Sequence, residues 1–130
     1  MSSNARQSAC RRWGIVAVYA AAIFVQSALP SPADTIAVAG FDKVAHAAMY
    51  ALLAVLLCRA LSDCPMGRRP PVRILAVATL LASLYGIGDE LHQLLVPARC
   101  ANVGDAVADL VGSAVGAACW GVRHRRRFQI

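Results

Sequence analysis

Residues 44–61 read VAHAAMYALLAVLLCRAL, a run in which His46 and Arg59 are the only acidic or basic residues. At about 1.5 Å rise per residue, a helix of this length spans about 27 Å, close to the roughly 30 Å hydrocarbon core of a bilayer. Three further apolar segments flank it, at 13–29, 72–96 and 106–122, and prolines separate the segments. The pattern predicts an all-α, polytopic membrane protein with four transmembrane helices.

Composition supports a lipid environment for the chain. Of its 130 residues, 58% are apolar and 15% are charged, whereas a soluble domain carries about 25% charge. This composition excludes a disordered chain, a collagen and a coiled coil. The net charge of +6 is compatible with nucleic-acid binding, but no basic stripe with interleaved aromatic residues accompanies it. We therefore predict the bilayer as a partner and no nucleic-acid partner.

The basic residues are distributed unevenly between the two ends of the predicted helices. Eleven of the 13 would lie on one side, and only Lys43 and Arg99 on the other. The positive-inside rule then predicts a multi-pass protein of the bacterial inner membrane with both termini cytoplasmic. Residues 1–12 would form a basic N-terminus, 13–122 the membrane domain and 123–130 a basic tail. Alternatively, the first segment is a cleaved signal peptide, although it exceeds the usual apolar length.

Polar residues gather where each later helix reaches the outer side. An ionisable group costs about 2.5–3.5 kcal/mol at the centre of a membrane helix, and less near its ends. At about 100° per residue, one face of the second helix carries four polar side chains: Asp42, Lys43, His46 and Tyr50. By the same arithmetic, one face of the third carries Tyr85, Asp89, His92 and Gln93, with Glu90 adjacent.

The fourth segment carries a seam of acids followed by glycines, made by Asp105, Asp109, Gly112 and Gly116. The two glycines form a small-xxx-small pattern, which lets membrane helices pack backbone to backbone. We expect this seam to pack within one chain, and a dimer interface is the alternative. Together with Arg99 in the preceding connection, the three helices should present one outward-facing polar patch.

These motifs resemble those of the VanZ-like family of small integral membrane proteins. The resemblance rests on order and spacing over residues 41–116: DKxxHxxxY from Asp42, DExxQxxxPxR from Asp89, and DxxxDxxGxxxG from Asp105. Two positions depart from the family pattern, which usually has Asn where this chain has Asp109 and often has Gly where it has Ala98. An ionised Asp109 would add an anion to the seam.

The resemblance implies a four-helix membrane protein acting in the cell envelope. It links the chain to resistance to teicoplanin, a glycopeptide antibiotic that acts on cell-wall precursors outside the membrane. No catalytic mechanism is implied, so whether the chain is an enzyme stays open.

One hypothesis for the polar patch is a site that binds a lipid-linked or phosphate-bearing envelope component, such as a cell-wall precursor. Arg99 and Lys43 would contact phosphate, and neutral groups would be oriented by Tyr50, Gln93 and His46. The ligand-binding candidates are Asp42, Lys43, His46, Tyr50, Asp89, Glu90, Gln93, Arg99, Asp105 and Asp109.

A divalent cation is a possible cofactor, because acids outnumber bases in this patch. Oxygen and nitrogen ligands would come from three pairs: Asp42 with His46, Asp89 with His92, and Asp105 with Asp109. No known metal signature is met, however.

Other classes of function compete with simple binding. A hydrolase or transferase would use Asp89 or Glu90 as general base, with His46 or His92 as its partner. A structural protein would use the same groups as interhelical hydrogen bonds, without a ligand site. A proton transporter is least favoured, because the inner halves of the helices carry no continuous polar path.

Overall fold

The computed structural model describes residues 3–29, 40–64, 70–97 and 101–124. These ranges form four α-helices and contain no strand: α1 Ser3–Ser27, α2 Phe41–Ser62, α3 Pro71–Gln93 and α4 Val103–Arg123. Each helix is long and apolar enough to cross a membrane. The prediction of an all-α chain with four helices of transmembrane length is confirmed.

Local sequence signals explain where the helices begin. The chain enters α2 through Gly40, whose φ of 91° suits a residue without a Cβ. Pro71 occupies the first turn of α3, where its missing N–H costs no hydrogen bond. At the start of α4, the side chain of Asn102 accepts a hydrogen bond of 2.8 Å from the backbone of Gly104.

The helices do not coincide with the apolar segments of the sequence. The first begins at Ser3 instead of residue 13, because backbone hydrogen bonding continues through its polar N-terminal turns. The third ends at Gln93 instead of residue 96, and a turn carries the chain on to Val96. Segment boundaries read from hydropathy mark apolar surface, whereas helix ends depend on capping and turns.

The tightest contact in the fold joins α2 to α4. A Cβ placed on Gly112 would strike the backbone carbonyl oxygen and Cα of Ala47, and one on Gly116 would strike the same atoms of Ala51. The two backbones therefore touch along two helical turns, with the glycine seam facing α2 of the same chain. This contact sets the register of α2 against α4.

The contacts between helices define two ends of the bundle. We call the end where α2 and α4 begin and α1 and α3 finish the polar end; Ser27 there bonds Asp89, and Lys43 bonds Asp105. We call the other the basic end, where a cavity of about 410 Å³ is lined by residues that include Arg12, Arg59, Arg123 and His124. The two ends thus differ in charge.

Helix α1 lies on the outside of the other three. Its buried apolar contacts come from Val16 and Ile23. Hydrogen bonds supplement them: the Tyr19 hydroxyl donates to the carbonyl of Met49 at 3.1 Å, and the Tyr85 hydroxyl donates to that of Ala20 at 2.6 Å. Since few apolar side chains of α1 are buried, these bonds locate it on the bundle.

The outer surface of the bundle is strongly apolar. Large hydrophobic side chains face outward on every helix, among them Val18 at 72%, Val72 at 66% and Leu110 at 49% exposure. Contiguous apolar surface of this extent is unfavourable in water. The fold therefore suits a bilayer environment, in agreement with the prediction from composition.

The α2–α4 contact predicts opposite effects for two glycine-to-alanine substitutions. Replacing a helical glycine by alanine normally stabilises a helix by about 0.8–1 kcal/mol, and we expect Gly88→Ala, where a Cβ meets open space, to be neutral or stabilising. We expect Gly112→Ala to destabilise by about 1–3 kcal/mol or more, because the backbones must separate. Unfolding of the purified proteins in detergent would measure both, and equal stabilities would contradict the contact.

Candidate functional site

Charged side chains from three helices meet at the polar end in two layers. The outer layer contains Lys43, whose Nζ lies 3.0 Å from Asp105 Oδ1 and 3.5 Å from Asp42 Oδ2. Lys43 and Asp42 remain well exposed, while Asp105 is largely covered. We call these three residues the rim. Exposed ion pairs of this kind contribute little to stability, so the rim keeps charge available at the surface.

Below the rim lies a second layer, formed by His46 of α2, Glu90 of α3 and Asp109 of α4. We call these residues the buried trio. His46 Nδ1 lies 3.0 Å from Asp109 Oδ1, and one ligand-type atom from each of the three side chains falls within 4.8 Å of the others. Asp109 is 1% exposed and Glu90 is 7% exposed. Three helices thus converge on one desolvated polar cluster.

The carboxylates of the buried trio are only partly satisfied by the described part of the chain. Glu90 Oε2 accepts a hydrogen bond of 2.9 Å from the backbone N–H of Asn102. Its Oε1 and the Oδ2 of Asp109 are buried and have no hydrogen-bond partner among the described residues. A buried carboxylate oxygen without a partner is costly, so both oxygens have unused capacity to bind a ligand.

A glycine makes room for one of these carboxylates. A Cβ on Gly86 would lie 2.7 Å from Asp109 Oδ2 and 3.0 Å from its Cβ. Any larger residue at this position in α3 would push the Asp109 side chain away. Gly86 therefore positions Asp109 without touching a ligand itself.

Asp89 has a different environment from its neighbour Glu90. Its Oδ1 accepts a hydrogen bond of 2.5 Å from the Ser27 hydroxyl, and its Oδ2 lies 3.5 Å from Gln93 Nε2. Asp89 and Gln93 are both buried. The pair faces α1, so Asp89 attaches that helix to α3 and is not a member of the buried trio.

Aromatic rings cover the inner side of the polar cluster. The Tyr50 ring stacks on His46 at a centroid distance of 6.4 Å and lies at the same distance from Tyr85. Tyr50 is fully buried, and its hydroxyl has no hydrogen-bond partner within the described ranges. It closes the site toward the apolar half of the bundle.

The structure groups the predicted residues differently from the spacing along single helices. Several members of the three metal-binding pairs expected from spacing contact other residues. His46 lies against Asp109, and Asp42 pairs with Lys43. The ring of His92 packs on that of Phe24, with the ring centroids 4.3 Å apart. Face arithmetic relates residues of one helix, whereas the contacts of His46 with Asp109 and of His92 with Phe24 join different helices. Arg99 lies outside the described residues.

Two contributing residues were missed by the sequence reasoning. Asn102 supplies the N–H that binds Glu90, and its signal was its place as a capping residue before an apolar helix. Ser27 binds Asp89, but a serine near a helix end carries no signal for a partner on another helix.

Comparison with known proteins bears on the same residues. The model of the VanZ/LLP1 family matches residues 4–124, which include the rim, the buried trio and nearly all of the four helices. A search of curated proteins finds no match, and neither does a search of solved structures. The resemblance found in the polar motifs is confirmed: this chain, with four helices of transmembrane length, belongs to the VanZ/LLP1 family.

Proposed function

We propose that the protein lies in the cell membrane with its polar end facing outward and both termini in the cytoplasm. Residues 1–12 and 123–130 would be the cytoplasmic termini of a membrane domain at 13–122. The support is the charge difference between the two ends: Arg12, Arg59 and Arg123 belong to the basic end, and cytoplasmic flanks are rich in Lys and Arg.

We further propose that the polar end binds a component of the cell envelope. Its rim offers both charge signs to a ligand approaching from the outer surface, with Lys43 as a point charge for phosphate. Arg99, two residues beyond Pro97, would add a planar guanidinium. A lipid-linked cell-wall precursor has the phosphate and the location that this arrangement needs. The VanZ resemblance then connects the site to glycopeptide resistance, with teicoplanin as the expected drug.

The observation that carries a ligand site at the polar end is the buried trio with its unpartnered oxygens, which would accept hydrogen bonds from donor groups of the envelope component. Interhelical hydrogen bonds in membrane proteins average about 0.6 kcal/mol, whereas an acid placed within a membrane helix costs about 2.5–3.5 kcal/mol at its centre. Structural hydrogen bonding explains the contact of Asp89 with Ser27, where both groups are used. It does not explain Glu90 and Asp109, which each retain a buried oxygen without a partner in the described chain.

A second candidate function is catalysis on such a precursor. Glu90 is favoured over Asp89 as the general base, because Oε1 of Glu90 is unengaged by the described residues while both oxygens of Asp89 have partners. His46 lies in the same cluster and would move the proton onward. A hydrolase or transferase would then act on a bond held against the trio.

The orientation can be tested with the native cysteines. In single-cysteine variants we expect a membrane-impermeant maleimide to label Cys100 in intact cells, since the polar end faces outward. Cys10, which is exposed on the first helix, should react only after the membrane is permeabilised. The reverse pattern would place the polar end in the cytoplasm.

The envelope function can be tested in a deletion strain complemented with single variants. We expect Glu90→Gln and Arg99→Ala to lose most of the protection against teicoplanin or envelope stress, at unchanged protein level in the membrane. Asp63→Asn is the matched control, because Asp63 pairs with Arg12 at the basic end, and it should protect like wild type. Protection that falls only in proportion to protein level would show that the cluster is structural.

A further inference from the structure

We propose that His46, Glu90 and Asp109 bind one divalent transition-metal ion, with zinc as the ion that fits best. The inference concerns the site of the proposed function, but it rests on the geometry of the trio and not on envelope binding. Zinc accepts both imidazole nitrogen and carboxylate oxygen as ligands in proteins. Each ligand comes from a different helix, so no short sequence motif contains all three ligands.

Charge balance favours a cation in this position. Two carboxylates lie in a cluster from which solvent is largely excluded, and one imidazolium could balance only one of them. Lys43 is already paired with Asp42 and Asp105 in the rim. A divalent ion would neutralise both carboxylates and would give a partner to Glu90 Oε1, which has none in the described chain.

The distances are close to those of a coordinated ion. Two ligands bound about 2.1 Å from the same metal lie about 3.0–3.4 Å apart, depending on geometry. His46 Nδ1 and Asp109 Oδ1 are 3.0 Å apart, which meets this condition without movement. The three ligand atoms lie within 4.8 Å of one another, so Glu90 would have to move by no more than about 2 Å, which its flexible side chain can supply.

The supporting residues suit a metal site of the open type. Gly86 leaves space for the Asp109 carboxylate, and the backbone of Asn102 orients Glu90 through its Oε2. Outer partners of this kind orient ligands and raise metal affinity. Three protein ligands leave a coordination position for water or a substrate oxygen. If the proposed function holds, that position would accept a phosphate oxygen of the envelope component.

The alternative for the same geometry is proton sharing, with a protonated Glu90 beside a His46 to Asp109 ion pair. The two arrangements differ in what purified protein contains. We expect full-length protein, purified in detergent with its affinity tag removed and without chelator, to hold about one zinc per chain by elemental analysis. Cobalt reconstitution should give visible d–d absorption without a thiolate charge-transfer band, which separates the trio from the cysteines.

Ligand variants locate the ion. His46→Ala and Glu90→Gln should weaken zinc binding at least about 100-fold, which exceeds the effect of losing an outer partner. The control is His124→Ala, which removes a histidine at the basic end and should bind zinc like wild type. Gly86→Ala should weaken binding with all ligands retained, and Gly88→Ala should not. EDTA should lower the melting temperature of wild type and not that of His46→Ala.

The outcomes separate this inference from the proposed function. Wild-type protein that binds neither zinc nor cobalt at micromolar free metal would overturn the metal site, whatever the variants do. Equal zinc loss in His124→Ala would also overturn it. Protection lost in Glu90→Gln without any metal in wild type would leave the envelope function standing, whereas bound zinc with unaffected protection would leave the metal site standing alone.

Discussion

The backbone contact between α2 and α4 sets the geometry on which the polar end depends. Gly112 and Gly116 let α4 lie directly on Ala47 and Ala51. His46 precedes Ala47, and Asp109 is one helical turn before Gly112, so the same register that joins the backbones brings the imidazole to the carboxylate. Side chains at the glycine positions would separate the helices and break the contact between His46 and Asp109. Close packing and polar chemistry are therefore consequences of one seam.

Within this geometry, the neighbouring acids Asp89 and Glu90 have different roles, because they contact different parts of the bundle. Asp89 uses both oxygens to attach α1 through Ser27 and to meet Gln93. Glu90, the next residue, points to the α4 side and keeps one buried oxygen without a partner in the described chain. Consecutive residues of a helix differ by about 100° in direction. That rotation separates a structural carboxylate from one with capacity for a ligand.

The two layers of the polar end differ in exposure and charge. The rim is exposed and pairs Lys43 with Asp42 and Asp105, so its charges can be exchanged for those of a ligand at small cost. The buried trio is desolvated, and electrostatic interactions in such an environment are stronger than in water. Tyr50 closes the cluster toward the apolar half of the bundle. If the proposed function and the proposed metal site both hold, a phosphate-bearing ligand would meet the rim first and the metal-bound trio second.

The sequence alone determined the four helices of membrane-spanning length, the separation of most acids from the arginines and the family, because hydropathy, charge and motif spacing are properties of the linear chain. It also identified His46, Glu90 and Asp109 as candidates. Which of them touch was decided by tertiary structure. Face arithmetic paired His46 with Asp42, yet the α2–α4 register places it against Asp109. Contacts between helices depend on how closely their backbones approach, and the sequence of one helix does not specify which residues of another helix it will contact.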